Sequence, residues 1–196
     1  MKKIIVLAAA LSIGFSSWAQ KKNVNTAQAA LTREDYAKAK SAIDEATADP
    51  STKDDPKTWF VRGEVYTTLQ NQQAFQSENP LLEASKSYLK VVELDPDYRK
   101  SEMDTRLLTA SQVFYNQGLE HYQAQRYKDA YEAFTLPITV GKLGGGKRFA
   151  SVSAFDTIVT YAHLQRAFSS YFAEDYSKAI PDLQVAKESP ITRDPS

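Results

Sequence analysis

One short phrase, written four times along the chain, constrains the fold more than anything else in it. Tyr36, Tyr127 and Tyr176 open "YAKA", "YKDA" and "YSKA", and a degenerate copy, "LLEA", opens at Leu81. Successive copies start 45, 46 and 49 positions apart. A period of roughly 20 to 50 residues signals stacked supersecondary units, each too small to bury its apolar face alone. From every phrase, apolar or small residues continue at helical spacing: Ala39, Ile43, Ala46; Ala84, Tyr88, Val91; Ala130, Phe134, Pro137; Ala179, Leu183, Ala186. These sets form one stripe of an amphipathic helix.

Three phrases follow a second helical run that holds a small residue where two helices would cross: Gly63 in "WFVRGEVY", Gly118 in "FYNQGLEHY" and Ala167 in "HLQRAFSSY". A residue with little or no side chain lets two backbones approach. Proline then stops the second helix of a pair, at Pro96 in "ELDPDY" and Pro190 in "ESPI". The fullest copy reads Trp59, Gly63, Tyr66, Ala84, Tyr88, Val91 and Pro96, and the third reads Phe114, Gly118, Tyr127, Ala130 and Phe134. Asn23 and His163 fill the bulky first slot in the other two copies.

On these residues the chain resembles the tetratricopeptide repeat (TPR) family of helix-turn-helix units, over about residues 21–190. The resemblance implies an all-α, TPR-like solenoid of about four antiparallel helix pairs. The family's period is about 34 residues, shorter than the spacing here. The excess goes to an insertion within "NQQAFQSENP" and to long first helices in copies three and four. The runs "YRKSEMDTRLLTASQVFYNQGLEHYQ" and "RFASVSAFDTIVTYAHLQRAFSSYFAE" predict helices of about 25 residues each.

The N-terminus reads separately. "MKKIIVLAAALSIGFSSWAQ" carries two lysines, an apolar run from Ile4 to Phe15, and small residues at Ser17 and Ala19, the layout of a secretory signal peptide cut before Gln20. The 12-residue run is shorter than the roughly 18 to 20 residues a membrane span needs. No cysteine stands at the cut to take a lipid. The expected organisation is a signal peptide at 1–19, a repeat domain at 20–190 and a tail at 191–196 that leaves the stack open to further repeats. The expected location is periplasmic or secreted, with no membrane insertion once the signal is removed.

Composition narrows the function classes. Lysine plus arginine equals aspartate plus glutamate at 24 each, and loss of Lys2 and Lys3 leaves a net charge of about −2, so no basic field exists to hold nucleic acid. The chain has no cysteine, which removes disulfides and thiol chemistry. "VGKLGGGKRF" approaches a phosphate loop, but Arg148 stands where Ser or Thr would hold magnesium. "LPITV" before it is strand-like, yet isolated in a helical chain, so the glycines are expected to be a connector between copies three and four. His121 and His163 fall in repeat slots that suit packing or surface roles, and Asp54, Asp55, Glu174 and Asp175 precede helix starts, where carboxylates favour the helix dipole. No catalytic constellation, metal site or cofactor site is expected.

A TPR-like stack would build its concave face from first helices. The resemblance places Phe60, Glu64 and Thr67 there in copy two, Tyr115, Leu119 and Tyr122 in copy three, and Leu164, Phe168 and Tyr171 in copy four. Two readings stay open for these aromatic positions: they line a groove for an extended peptide or amphipathic helix, or they pack against neighbouring helices. Val24, Gln28, Phe60 and Glu64 stand where chaperone-clasping TPR domains use Lys, Asn and Arg, so that activity is not implied. The expected function is a non-catalytic scaffold for a protein or peptide partner in the cell envelope. The alternative is a soluble accessory protein of an envelope nutrient-uptake or assembly complex, with glycan capture as a third reading.

Overall fold

The computed structural model describes residues 23–193. The signal-like segment 1–19 and the last three positions of the tail lie outside the described residues. The described residues are all-α, with helices packed sequentially in antiparallel pairs. They divide into two compact units between Met103 and Asp104, within one long helix.

The first unit contains α1 (23–32), α2 (Tyr36–Ala48), α3 (Pro56–Leu69), a 3-10 turn at Gln73–Glu78 within the insertion expected from the sequence, and α4 (Pro80–Leu94). Asp55 caps α3, accepting a hydrogen bond from the Lys57 N–H, and Pro56 follows at the first position, where no N–H is needed. α4 likewise begins on a proline, Pro80, and ends at Leu94, two residues before Pro96. α3 packs on both α2 and α4. Its buried residues Val61, Val65 and Leu69 meet a core that also takes in Ile43, Tyr88 and Val91. A Cβ on Gly63 would overlap the Tyr88 ring, so the α3–α4 crossing depends on the missing side chain.

α5 (Lys100–Gln123) crosses the division and supplies the first helix of the second unit. It is followed by α6 (Tyr127–Gly141), α7 (Ser153–Phe172), α8 (Tyr176–Glu188) and the single turn α9 (Pro190–Arg193). α7 packs on both α6 and α8. Phe134, Ala130, Ile138 and Ala162 form a closed core cluster. At Gly118, a Cβ would stand 2.5 Å from a ring carbon of Phe134, so the second crossing uses the same device as the first.

Two expectations are corrected. "LPITV" is helical: Ile138 and Val140 are buried on α6, and their burial overrides the strand preference of β-branched residues. α7 has 20 residues and starts at Ser153, because residues 142–151 are turns, with Gly144, Gly145 and Gly146 at positive φ. α5, at 24 residues, has the expected length.

The turns before the phrases share one geometry. Glu34, Gln125 and Glu174, each two residues before a phrase tyrosine, have left-handed backbone with φ of 59°, 60° and 62°. In each turn the next N–H reaches back across the helix end: Asp35 to the Ala30 carbonyl, Arg126 to His121 and Asp175 to Ser170, all at 2.9 Å. This is the Schellman way of closing a helix, here without the usual glycine. Asn79, two residues before Leu81, is left-handed as well, with φ of 49°.

Candidate functional site

The structure separates the residues projected onto a concave face. Phe60 is buried, its ring 6.0 Å from that of Tyr98 and 4.4 Å below the Arg99 guanidinium. Glu64 accepts a hydrogen bond from the Tyr88 hydroxyl at 3.1 Å, and Thr67 lies 2.9 Å from the same hydroxyl. Tyr115, Leu119 and Tyr122 pack against the Phe134 cluster, with Tyr115 and Phe134 ring centroids 5.7 Å apart. Burial pushes the hydroxyls of Tyr115 and Tyr122 above their ordinary pKa, helped by the neighbouring Tyr161 and Tyr127 respectively. These positions serve largely as internal packing.

Copy four differs. Leu164 is half-buried, while Phe168 is 37% and Tyr171 53% exposed. They do not stand alone. Among the described residues, the exposed large hydrophobics all lie on α7 and α8: Tyr161, Phe168, Tyr171 and Phe172 on the first, Tyr176, Ile180, Leu183 and Val185 on the second. Tyr171, Phe172 and Tyr176 form a ladder with Tyr127. Tyr127 stacks on Phe172 at 5.3 Å, and Tyr171 meets both Phe172 and Tyr176 edge-on at 5.4 Å. Leu183 shows why this face is unusual. It sits seven residues after the phrase tyrosine, the position of the buried Ile43 and Phe134, yet is 39% exposed. Phe172 and, on α8, Tyr176, Ile180 and Leu183 are members of the face that the sequence does not mark, whereas Val185 lies on another side of α8. The family pattern points only to particular slots on first helices, and Phe172 falls beside such a slot while α8 is a second helix.

Two charged networks look like chemistry but are bridges between helices. In the first unit, Arg62 Nε donates to Asp44 on α2 at 3.0 Å, Nη2 donates to Glu83 on α4 at 2.9 Å, and Nη1 donates to Ser87 at 2.9 Å. Its guanidinium lies 4.3 Å from the Tyr66 ring centroid. Burial opposes the Arg62 charge, but Glu83, Tyr66 and Asp44 outweigh it and raise the pKa. In the second unit, Arg166 grips Asp182 on α8 through two hydrogen bonds of 2.7 and 2.8 Å and donates to Thr135 on α6 at 3.2 Å. The His163 Nδ1 donates to the same carboxylate at 2.7 Å. Both oxygens of this buried carboxylate therefore face a cation or an N–H, a structural arrangement that leaves no free base.

The glycine segment is not shaped to cradle phosphate. It follows the C-terminus of α6, where carbonyls and not N–H groups point outward, and Arg148 is committed to Asp104 at 2.5 Å. His121 accepts from the Arg126 guanidinium at 3.1 Å. Among the described residues, no group of three or more acidic or histidine side chains could hold a metal ion, and no helix is long and apolar enough to cross a membrane. What this surface offers chemically is apolar area and aromatic edges. Comparison with protein-family models gives no match, and comparison with curated proteins gives none either.

Proposed function

We propose that the chain is an exported, non-catalytic interaction scaffold of TPR-like repeats that docks a protein or peptide partner on the exposed face of α7 and α8. The observation that carries the reading is the gathering of exposed large hydrophobics on that one helix pair. Scattered apolar residues on a surface are ordinary, whereas a contiguous apolar surface marks an interaction site. Tyrosine is also among the side chains that give interfaces most of their binding energy.

Register supports the repeat part of the reading. Arg62 and Arg166 each stand one residue before a small crossing residue, Gly63 and Ala167. Each bridges the eighth residue after the phrase start in the preceding second helix, Asp44 or Thr135, and the sixth in its own, Ser87 or Asp182. The carboxylate and the hydroxyl exchange places between the copies, and the arginine remains. Gly63 opposite Tyr88 and Gly118 opposite Phe134 repeat another fixed relation.

The test is an in-cell crosslinking pull-down with wild type, Phe168→Ser and Tyr171→Ser, after circular dichroism has established equal helicity. A partner held by wild type and lost from both folded variants supports the scaffold. A partner held equally by all three removes this face from the proposal.

A further inference from the structure

We infer that a cleft between the start of α6 and the α7–α8 turn binds a short zwitterionic peptide, of about dipeptide size, separately from the apolar docking face. The cleft encloses about 420 Å³ and is lined by Lys128, Tyr131, Glu132, Ser170, Asp175 and Lys178, among others. A volume of that order suits a small molecule more than a folded surface.

Two independent features mark it as a site. Ser170 is 2% exposed and its Oγ has no hydrogen-bond partner. A buried hydroxyl left unpaired is costly, and a ligand group or bound water at the cleft wall would relieve it. The second feature is the start of α6. Asp35 and Asp175 accept hydrogen bonds from first-turn N–H groups of α2 and α8, but Arg126 holds the corresponding place before α6 and provides no such acceptor. The first-turn amides of α6 therefore have room for an external carboxylate or carbonyl.

The charges select the ligand. Lys178 pairs with Asp175 at 2.8 Å, and Asp129 pairs with Arg126 at 3.6 Å. The side chains of Lys128 and Glu132 form no ion pair or hydrogen bond among the described residues, although Glu132 lies near enough to Lys178 to help Asp175 raise the pKa of that lysine. They are four apart on α6, so their Cβ atoms stand about 5–6 Å apart on one helix face. A dipeptide spans about 7 Å between its ends. Its carboxylate can meet Lys128 and the α6 amides while its ammonium meets Glu132, leaving the peptide group for Ser170. A neutral sugar is a poorer match, because the Tyr131 ring already engages Arg166 at 5.1 Å and Lys178 at 5.3 Å.

NMR titration of the full chain with alanyl-alanine, its N-acetyl form and its C-terminal amide tests the assignment. Alanyl-alanine should shift the amides of residues 127–132 and 169–178, and each blocked form should bind about tenfold more weakly or worse. Lys128→Ala should erase the difference between free acid and amide, and Glu132→Gln the difference between free amine and acetyl form. Ser170→Ala should weaken alanyl-alanine while leaving the melting temperature of the unliganded chain equal or higher; a hydroxyl with only a structural role would leave the titration unmoved. Absence of shifts at the highest soluble alanyl-alanine concentration, or binding of the free dipeptide to wild type no tighter than that of either blocked form, would overturn the inference.

Discussion

Replacing Gly118 by alanine adds a single methyl group, and the structure shows what it meets. The new Cβ would lie 2.5 Å from one ring carbon of Phe134 and 2.7 Å from two others, where carbon atoms rest at about 3.5–4.0 Å. The ring cannot step aside, since Phe134 is fully buried and backed by Ala130, Ile138 and Ala162, all at 1% exposure or less. Overpacking of this kind costs about 1–3 kcal/mol, and alanine's better helix propensity returns about 1 kcal/mol. The net expectation is a loss of about 0–2 kcal/mol. Phe134→Ala alone should cost about 3–5 kcal/mol by opening a cavity. In that background the methyl has space, so Gly118→Ala should become neutral or stabilising. Urea unfolding of wild type, both single variants and the double variant gives the coupling, expected at about 1–3 kcal/mol. Equal effects of Gly118→Ala with and without the ring, within about 0.5 kcal/mol, would refute the crossing argument.

Further expectations concern turns, charges and the glycine segment. Glu174→Gly places the residue most tolerant of positive φ in a turn with φ of 62° and should stabilise by about 1 kcal/mol in thermal or urea unfolding. Burial pushes the Asp182 carboxyl up, but His163 and Arg166 outweigh it and hold the pKa below the ordinary value. That contribution to stability is full above the unfolded value of about 3.9 and is lost as pH falls through the lowered folded value. Asp182→Asn should therefore flatten the acid side of the stability profile and, by stranding the largely buried Arg166 guanidinium, cost about 3–5 kcal/mol at neutral pH. Arg148→Ala frees the glycine segment from Asp104 and should speed proteolytic cutting within residues 142–151; an unchanged cutting rate would show that the ion pair does not hold it.

Much of the fold was legible because its signals are local. A tyrosine-led phrase, an apolar stripe and a proline stop each occupy a few consecutive residues, and the aromatic opposite each crossing glycine, Tyr88 or Phe134, sits seven residues after its phrase start. "LPITV" misled for the same reason: three β-branched residues in a row resemble a strand until Ile138 and Val140 are seen buried on a helix. The arginine bridges were invisible because Arg62 and Arg166 take partners from two other helices, a relation that no single window contains. The exposed face was half legible. Phe168 and Tyr171 follow from the first-helix pattern, but the exposure of Phe172, Tyr176, Ile180 and Leu183 is set by how α7 and α8 pack on their neighbours, which no local pattern records. Ser170 gave no signal, since an unpaired hydroxyl is a property of its surroundings.

The central claim, that α7 and α8 form the docking face, is tested most directly by site-specific photo-crosslinking in cells. A photoreactive residue would replace Phe168, Tyr171 or Ile180 on that face, or Glu120 on the exposed side of α5. A discrete adduct of the same size from all three face positions, and none from position 120, is the predicted result. No adduct from the face, or the same adduct from position 120, would contradict the account.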